Sequence, residues 1–140
     1  MKTMILILSM LLSFTNCNSD NGAKEQDNSI IGIWKLIETY GSDGGSNPLW
    51  TPVDNGYTYT FHENGSFTSD RFSECSEGNY SISGNTLTLD YGCDGFTAGI
   101  EIPEGIFVEK YIFKNENMIL SPSYMNCDEG CEYKFKKIGQ

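Results

Sequence analysis

Between residues 57 and 63 apolar and polar positions alternate strictly. Three aromatic residues would lie on one face of an extended segment: Tyr57, Tyr59 and Phe61. His62 falls on the opposite face, with two threonines. A period of two is typical of an antiparallel strand with one buried face. The Asn64-Gly65 pair is a strong hairpin signal, so residues 66–72 are predicted to return beside this strand.

The same pattern of short alternating segments and turns continues through the chain from Ile30. Further strands are predicted over residues 30–40, 78–83, 85–91, 96–102, 105–115, 117–122 and 131–138. No segment is predicted to be a helix. About eight strands with short connections predict an all-β fold, a single antiparallel up-and-down barrel, because closure removes the exposed strand edges.

The N-terminal segment has a different character. Lys2 precedes an apolar run of 11 residues at positions 4–14, and a bilayer requires about twenty apolar residues. A charged start and a short apolar centre predict a signal peptide over residues 1–16. A buried helix or strand is the weaker alternative, because the run has no polar face. The polar residues 17–29 are predicted to form a flexible tether.

Cys17 lies three positions beyond the end of the apolar run. The segment resembles the signal peptides of bacterial lipoproteins, which are cleaved just before a cysteine that receives a lipid. The resemblance implies that Cys17 is lipidated and that the protein is exported and anchored to the outer membrane, on its periplasmic or cell-surface face. Asp20 is similar to the acidic surface-export signals of Bacteroidetes lipoproteins.

Composition limits the partners of the remaining chain. Residues 30–140 are enough for one domain with one core. The formal net charge of the chain is −10. Such an acidic surface repels phosphate backbones, so no nucleic-acid partner is expected. Nothing in the sequence indicates an oligomeric state.

The first predicted strand carries a Gly-x-Trp pattern, formed by Gly32 and Trp34. This strand begins the predicted series of antiparallel strands. Residues 30–138 thereby resemble the lipocalin-like proteins, particularly the small lipocalin-like lipoproteins of Bacteroidetes. The resemblance implies that Gly32 and Trp34 close the barrel floor beneath an apolar cavity. It also implies a small hydrophobic ligand.

Three classes of function remain open. A binding module would hold a small apolar molecule among inward aromatic and aliphatic residues: Tyr57, Tyr59, Phe61, Phe67, Tyr80 and Leu89. A structural or protein-interaction module of the cell envelope would fill the same interior with side chains. An enzyme would require His62, the single histidine, to meet an acid in the cavity. His62 is predicted to face solvent, so no enzyme and no cofactor are expected.

Four cysteines remain when Cys17 is set aside: Cys75, Cys93, Cys127 and Cys131. Structural zinc sites favour shorter Cys-x-x-Cys spacings, and an exported chain is oxidised. Disulfides are therefore predicted, and no metal site.

The turn at Gly84 suggests which cysteines pair. If the hairpin is centred on Gly84, Ile82 lies opposite Thr86 and Tyr80 lies opposite Thr88. Extending this register places Cys75 opposite Cys93, which leaves Cys127 for Cys131. A bond between Cys75 and Cys131 is the main alternative, because the last strand must also pack on the sheet.

Overall fold

Nine strands follow one another around the molecule, each antiparallel to its neighbours. A computed structural model describes residues 29–42, 47–127 and 130–140. The strands are β1 (Gly32–Gly41), β2 (Leu49–Pro52), β3 (Thr58–Phe61), β4 (Ser66–Ser69), β5 (Glu77–Ser83), β6 (Thr86–Tyr91), β7 (Ile106–Lys114), β8 (Asn117–Pro122) and β9 (Glu132–Gly139). Pairing of β9 with β1 closes the sheet. The predicted all-β, up-and-down barrel is confirmed, and the described residues contain no helix.

Strands β2 and β3 share one position in the barrel. Both pair with β1, β3 along residues 32–35 and β2 along residues 38–41, while β9 pairs with β1 over both stretches. The nine strands therefore make eight positions. Strand β2 escaped the sequence prediction because Leu49 and Trp50 are adjacent rather than alternating, and because Pro52 has no N–H to donate to a ladder.

The strand predicted over residues 96–102 is wrong. These residues belong to the connection between β6 and β7, where the backbone wraps around one carboxylate instead of a neighbouring strand. Glu101 Oε1 accepts hydrogen bonds from the N–H groups of Ala98 and Gly105, at 2.9 and 3.0 Å. Its Oε2 accepts one from Ile100 N–H at 3.1 Å. Gly99 has a φ of 76°, which also breaks an extended strand.

The structure contains both expected disulfides, Cys75–Cys93 and Cys127–Cys131. The register used to derive the first pair is nevertheless wrong by one residue. Tyr80 lies opposite Leu89 rather than Thr88, and Ile82 opposite Leu87 rather than Thr86. Gly84 and Asn85 together form a two-residue turn, so the hairpin is centred between them. Cys75 and Cys93 lie beyond the paired residues, where the chains leave the ladder and approach each other.

The two ends of the barrel differ. The hairpin turns at 62–65, 84–85 and 115–116 lie at one end with the start of β1, and this end is the floor. The connections 70–76 and 92–105, with residues 123–127 and 130–131, lie at the opposite end, the mouth. Between them lies the buried core: Ile30, Trp34, Leu36, Tyr59, Phe61, Phe67, Cys75, Leu87, Leu89, Tyr91, Phe107, Met118, Leu120 and Phe135.

Trp34 fills the interior at the floor. Its side chain is 1% exposed, and its ring centroid lies 5.7 Å from that of Phe113. The indole Nε1–H donates a hydrogen bond of 2.7 Å to the carbonyl oxygen of Ile30. Gly32 has a φ of 123°, and a Cβ there would lie 2.6 Å from the carbonyl oxygen of Gly139. A side chain at position 32 would separate the first strand from the last.

Candidate functional site

Four polar side chains meet inside the barrel near the mouth: Arg71, Tyr59, Glu109 and Tyr124. We call this set the polar cluster. The Arg71 guanidinium donates hydrogen bonds to the hydroxyls of Tyr59 and Tyr124, at 3.1 and 3.2 Å. The Tyr124 hydroxyl donates to Glu109 Oε1 at 3.1 Å. Arg71 Nη1 lies 4.0 Å from the same oxygen, so the phenol mediates much of the contact between the opposite charges.

Different elements deliver the members of the polar cluster. Glu109 points inward because β7 alternates, with Phe107 and Glu109 buried and Val108 and Lys110 more exposed. Tyr59 comes from β3 in the same way. Arg71 lies in the mouth connection that follows β4. It follows the alternation of the inward-facing Phe67 and Ser69 of β4, and its side chain enters the barrel from the mouth.

Aromatic rings hold the Arg71 guanidinium in place. Its central carbon lies 4.9 Å from the ring centroid of Phe72, 5.1 Å from that of Phe107 and 5.5 Å from that of Tyr57. Cations over ring faces gain electrostatic attraction, and the gain is larger where water is excluded. The guanidinium is therefore fixed in position before any ligand arrives.

Burial dominates the electrostatics of Glu109, which is 1% exposed. Loss of water raises the pKa of this carboxyl to about 7, although the Arg71 charge and the Tyr124 hydrogen bond act in the opposite direction. Burial also raises the pKa of Tyr59 and that of Tyr57, which lies beside the cluster. Near neutral pH these phenols are uncharged and Glu109 is only partly ionised.

One atom of the polar cluster lacks a partner. Glu109 Oε2 is buried and has no hydrogen bond to any residue that the structure describes. Buried polar atoms are nearly always hydrogen-bonded, and one that is not costs free energy. An incoming polar group would find an unoccupied hydrogen-bonding position at Oε2.

The raised pKa of Glu109 predicts an unusual pH dependence of stability. The folded state binds this proton more tightly than the unfolded chain, whose carboxyl has an ordinary pKa of 4.5. The resulting stabilisation is fully present below about pH 4.5 and is lost as pH rises to about 7. Relative to Glu109→Gln, the wild-type chain should lose about 3 kcal/mol of unfolding free energy over this range. Urea denaturation of both proteins at several pH values measures the difference, and a difference independent of pH would contradict the expectation.

A cavity of about 400 Å³ lies at the mouth, between the connections that follow β4 and β6. Its lining consists of Phe72, Glu74, Gly95, Phe96, Thr97 and Ala98. The Phe72 ring also contacts the Arg71 guanidinium, as described above. Phe72 therefore lies between the mouth cavity and the polar cluster and contacts both.

The segments around this cavity are held firmly. The disulfide between Cys75 and Cys93 joins the two connections. Glu101 binds three backbone N–H groups of the second connection. Burial raises the pKa of Glu101, but the N–H donors, that of Gly105 first, lower it to about 2. Its carboxylate is therefore ionised throughout the physiological range, which keeps the connection folded.

The six residues expected to line a ligand site all belong to the interior core or pack against it. Tyr59 belongs to the polar cluster and Tyr57 contacts Arg71. The other four pack tightly in the core: Phe61, Phe67, Tyr80 and Leu89. Leu89 lies opposite Phe107, whose ring contacts Arg71, whereas Phe61 and Tyr80 lie beside the floor hairpin. The ring centroids of Phe61 and Tyr80 are 5.0 Å apart, so this lower part of the interior is filled by side chains.

His62 lies in the floor hairpin with an exposed side chain, at the opposite end of the barrel from Glu109. The structure therefore does not bring the histidine to the buried acid. Within the described residues, no group of three or more His, Cys, Asp and Glu side chains is placed to hold a metal ion. The part of the chain that the structure describes also has no helix long and apolar enough to cross a membrane. Cys17 lies outside the described residues.

Comparison with known proteins agrees with the geometry of the barrel. A crystal structure of an uncharacterized protein from Bacteroides eggerthii DSM 20697 covers 79% of this chain and 100% of its own, with a TM-score of 0.52 and 19% identity. A lipocalin-like protein from Bacteroides uniformis ATCC 8492 covers 77% and 97%, with the same score and identity. At this identity the likeness concerns the fold alone. The comparison with curated proteins gave no match. The model of the lipocalin-like domain family matches residues 30–120, and the chain therefore belongs to that family.

Proposed function

We propose that this protein binds a small, largely apolar ligand in the upper part of the barrel, with a polar group of the ligand at the polar cluster. The observation that carries the proposal is the buried pair of Arg71 and Glu109 among aromatic rings. Replacing such a pair with apolar residues is often neutral or stabilising, so stability alone does not account for it. The unpartnered Glu109 Oε2 supports the same conclusion.

The second candidate is a structural or protein-interaction module with a filled interior. The tight packing of Phe61 and Phe67, each at most 1% exposed, favours it for the lower part of the barrel. It does not account for the polar cluster. Uptake of a ligand through the mouth distinguishes the two candidates.

Blocking the mouth cavity tests the binding function. Ala98 is partly buried and lines the cavity, so Ala98→Trp should fill it and weaken binding at least about tenfold. The probe is N-phenyl-1-naphthylamine, an uncharged dye that fluoresces in apolar surroundings, titrated into the full-length chain. Ser81→Trp, on an exposed position of β5, is the matched control and should bind as the wild type does. Equal binding by both variants, or none by the wild type, would favour the filled module.

We further propose that the protein is exported and anchored to the outer membrane, on its periplasmic or cell-surface face, through a lipid on Cys17. Support comes from the apolar run at positions 4–14, which ends shortly before this cysteine. We propose no enzymatic activity, since lipocalin-like proteins are generally binding proteins.

Cys17→Ser should release the protein from the membrane fraction, because the lipid would have no attachment point. Cell fractionation followed by intact mass measurement checks this. Retention of the variant in the membrane, or a wild-type mass that still includes residues 1–16, would contradict the anchor.

A further inference from the structure

The polar cluster contains a permanent positive charge that its one carboxylate balances only in part. The Arg71 guanidinium stays protonated in proteins. The groups that face Glu109 and Arg71 are four phenols, those of Tyr57, Tyr59, Tyr91 and Tyr124, all uncharged near neutral pH. Among the described residues Glu109 is the only carboxylate in ion-pair range of Arg71, and the nearest atoms are 4.0 Å apart. Because Glu109 tends to take up a proton, the charge of Arg71 is incompletely balanced.

The guanidinium also has unused hydrogen-bonding capacity. Of its five N–H groups, two donate to the hydroxyls of Tyr59 and Tyr124. The other three have no hydrogen-bond partner among the described residues. A guanidinium with donors in a fixed plane favours carboxylates and similar anions, which accept two parallel hydrogen bonds. Stacking on the rings of Phe72 and Phe107 keeps that plane fixed.

We propose that the ligand is an organic anion, a carboxylate on an apolar body, which binds Arg71 while the ionised fraction of Glu109 takes up protons from solvent. This inference rests on the proposed binding function. The proton goes to Glu109 Oε2, the oxygen without a partner, and that O–H donates a hydrogen bond to the ligand. Before binding, Arg71 is paired with the ionised part of Glu109. Afterwards it is paired with the ligand carboxylate, and Glu109 is neutral.

Other ligand classes fit the site less well. A cationic group would place a second positive charge beside Arg71 in a water-poor interior, where like charges repel strongly. A neutral group can bond to Glu109 Oε2 but leaves the charge of Arg71 unbalanced. The apolar body of the ligand would lie against the rings of Phe72 and Phe96, which line the mouth cavity.

A matched pair of probes tests the charge requirement. 2-Naphthoate and 2-naphthamide have nearly the same shape, but only the first is an anion. Titration calorimetry of the full-length chain at pH 7 should show that naphthoate binds at least about tenfold more tightly than naphthamide. Arg71→Gln should abolish this preference. Lys110→Gln removes a positive charge from the exposed position next to Glu109 in β7 and should retain the preference.

Proton uptake gives a second readout that a merely structural role of Glu109 would not produce. In phosphate and Tris buffers, which differ in ionisation enthalpy, the apparent binding enthalpy of naphthoate should differ according to the protons taken up. Uptake should increase between pH 7 and pH 8, because more Glu109 is ionised before binding. In Glu109→Gln the uptake should vanish while naphthoate still binds.

The outcomes separate the two proposals. Equal or tighter binding of naphthamide would contradict the proposal that the ligand is an anion. Naphthoate binding without proton uptake would contradict it as well. If neither naphthoate nor naphthamide binds but N-phenyl-1-naphthylamine does, the proposed binding function is supported and the proposal of an anionic ligand is wrong. If none of the three probes binds, both the proposed binding function and the proposal of an anionic ligand are wrong.

Discussion

Trp34→Ala is expected to lower the free energy of unfolding by about 3 to 5 kcal/mol, the usual cost of truncating a buried large aromatic residue. The variant loses the ring contact with Phe113 and leaves a cavity beside the floor. It also leaves the carbonyl oxygen of Ile30 without the indole donor that now binds it. Because the first and last strands meet beside this residue, the barrel has little freedom to collapse into the cavity.

The second tryptophan provides the matched control. Trp50 lies on β2, partly exposed, and its ring contacts that of Tyr40 in a tilted arrangement, with 5.2 Å between ring centroids. Trp50→Ala should cost only about 1 kcal/mol, as expected for a site outside the core. Urea denaturation followed by far-UV circular dichroism suits both variants, since it does not depend on tryptophan fluorescence. Similar costs for the two substitutions would show that Trp34 does not support the floor.

Arg71→Met is expected to cost about 3 kcal/mol at pH 8, because removal of one partner leaves the buried Glu109 charge without compensation. The variant should also lose the hydrogen bonds that Arg71 donates to Tyr59 and Tyr124. The cost should be smaller at pH 5, since Glu109 is then protonated. The double variant Arg71→Met with Glu109→Leu should regain most of the stability, because an apolar pair of similar size fills the site.

Thermodynamic measurement of the single and double variants forms a double-mutant cycle at each pH. The matched control is Lys110→Met, which removes an exposed charge from the same strand as Glu109 and should change stability by less than about 0.5 kcal/mol. If the costs of the two single substitutions simply add in the double variant, Arg71 and Glu109 are not coupled. The polar cluster would then not contain an interacting pair of charges.

Much of the barrel follows from the sequence, because strand alternation is a local signal. The period of two in residues 57–63 correctly places Tyr59 and Phe61 inside. The signal fails where a side chain replaces a neighbouring strand as hydrogen-bond partner. Residues 96–102 look like a strand, but the carboxylate of Glu101 binds their backbone, and no local pattern indicates that arrangement. The register error at Gly84 arises similarly, because one glycine does not reveal whether one or two residues form the turn.

The candidate site was only partly predictable. Tyr57 and Tyr59 were expected inside the barrel, and both contact Arg71. Glu109 could have been found, since it occupies an inward position between Phe107 and Tyr111 on β7, where a charge is unexpected. Arg71 lies on the inward face of the predicted strand 66–72, but the regular strand ends at Ser69, so the alternation alone does not fix the position of its side chain. Its role depends on tertiary contacts with rings from several strands.

The pairing of the first and last strands determines from which side a ligand must approach. Ile33 at the start of β1 lies opposite Gly139 near the end of the domain, so both termini of the barrel leave it at the floor. A lipid attached ahead of Ser29 would therefore tether the protein by its floor and leave the mouth at the far end of the barrel from the attachment. With the mouth turned away from the anchor, a hydrophobic ligand would not slide in directly from the membrane. It would have to cross water, either dissolved or handed over by another protein.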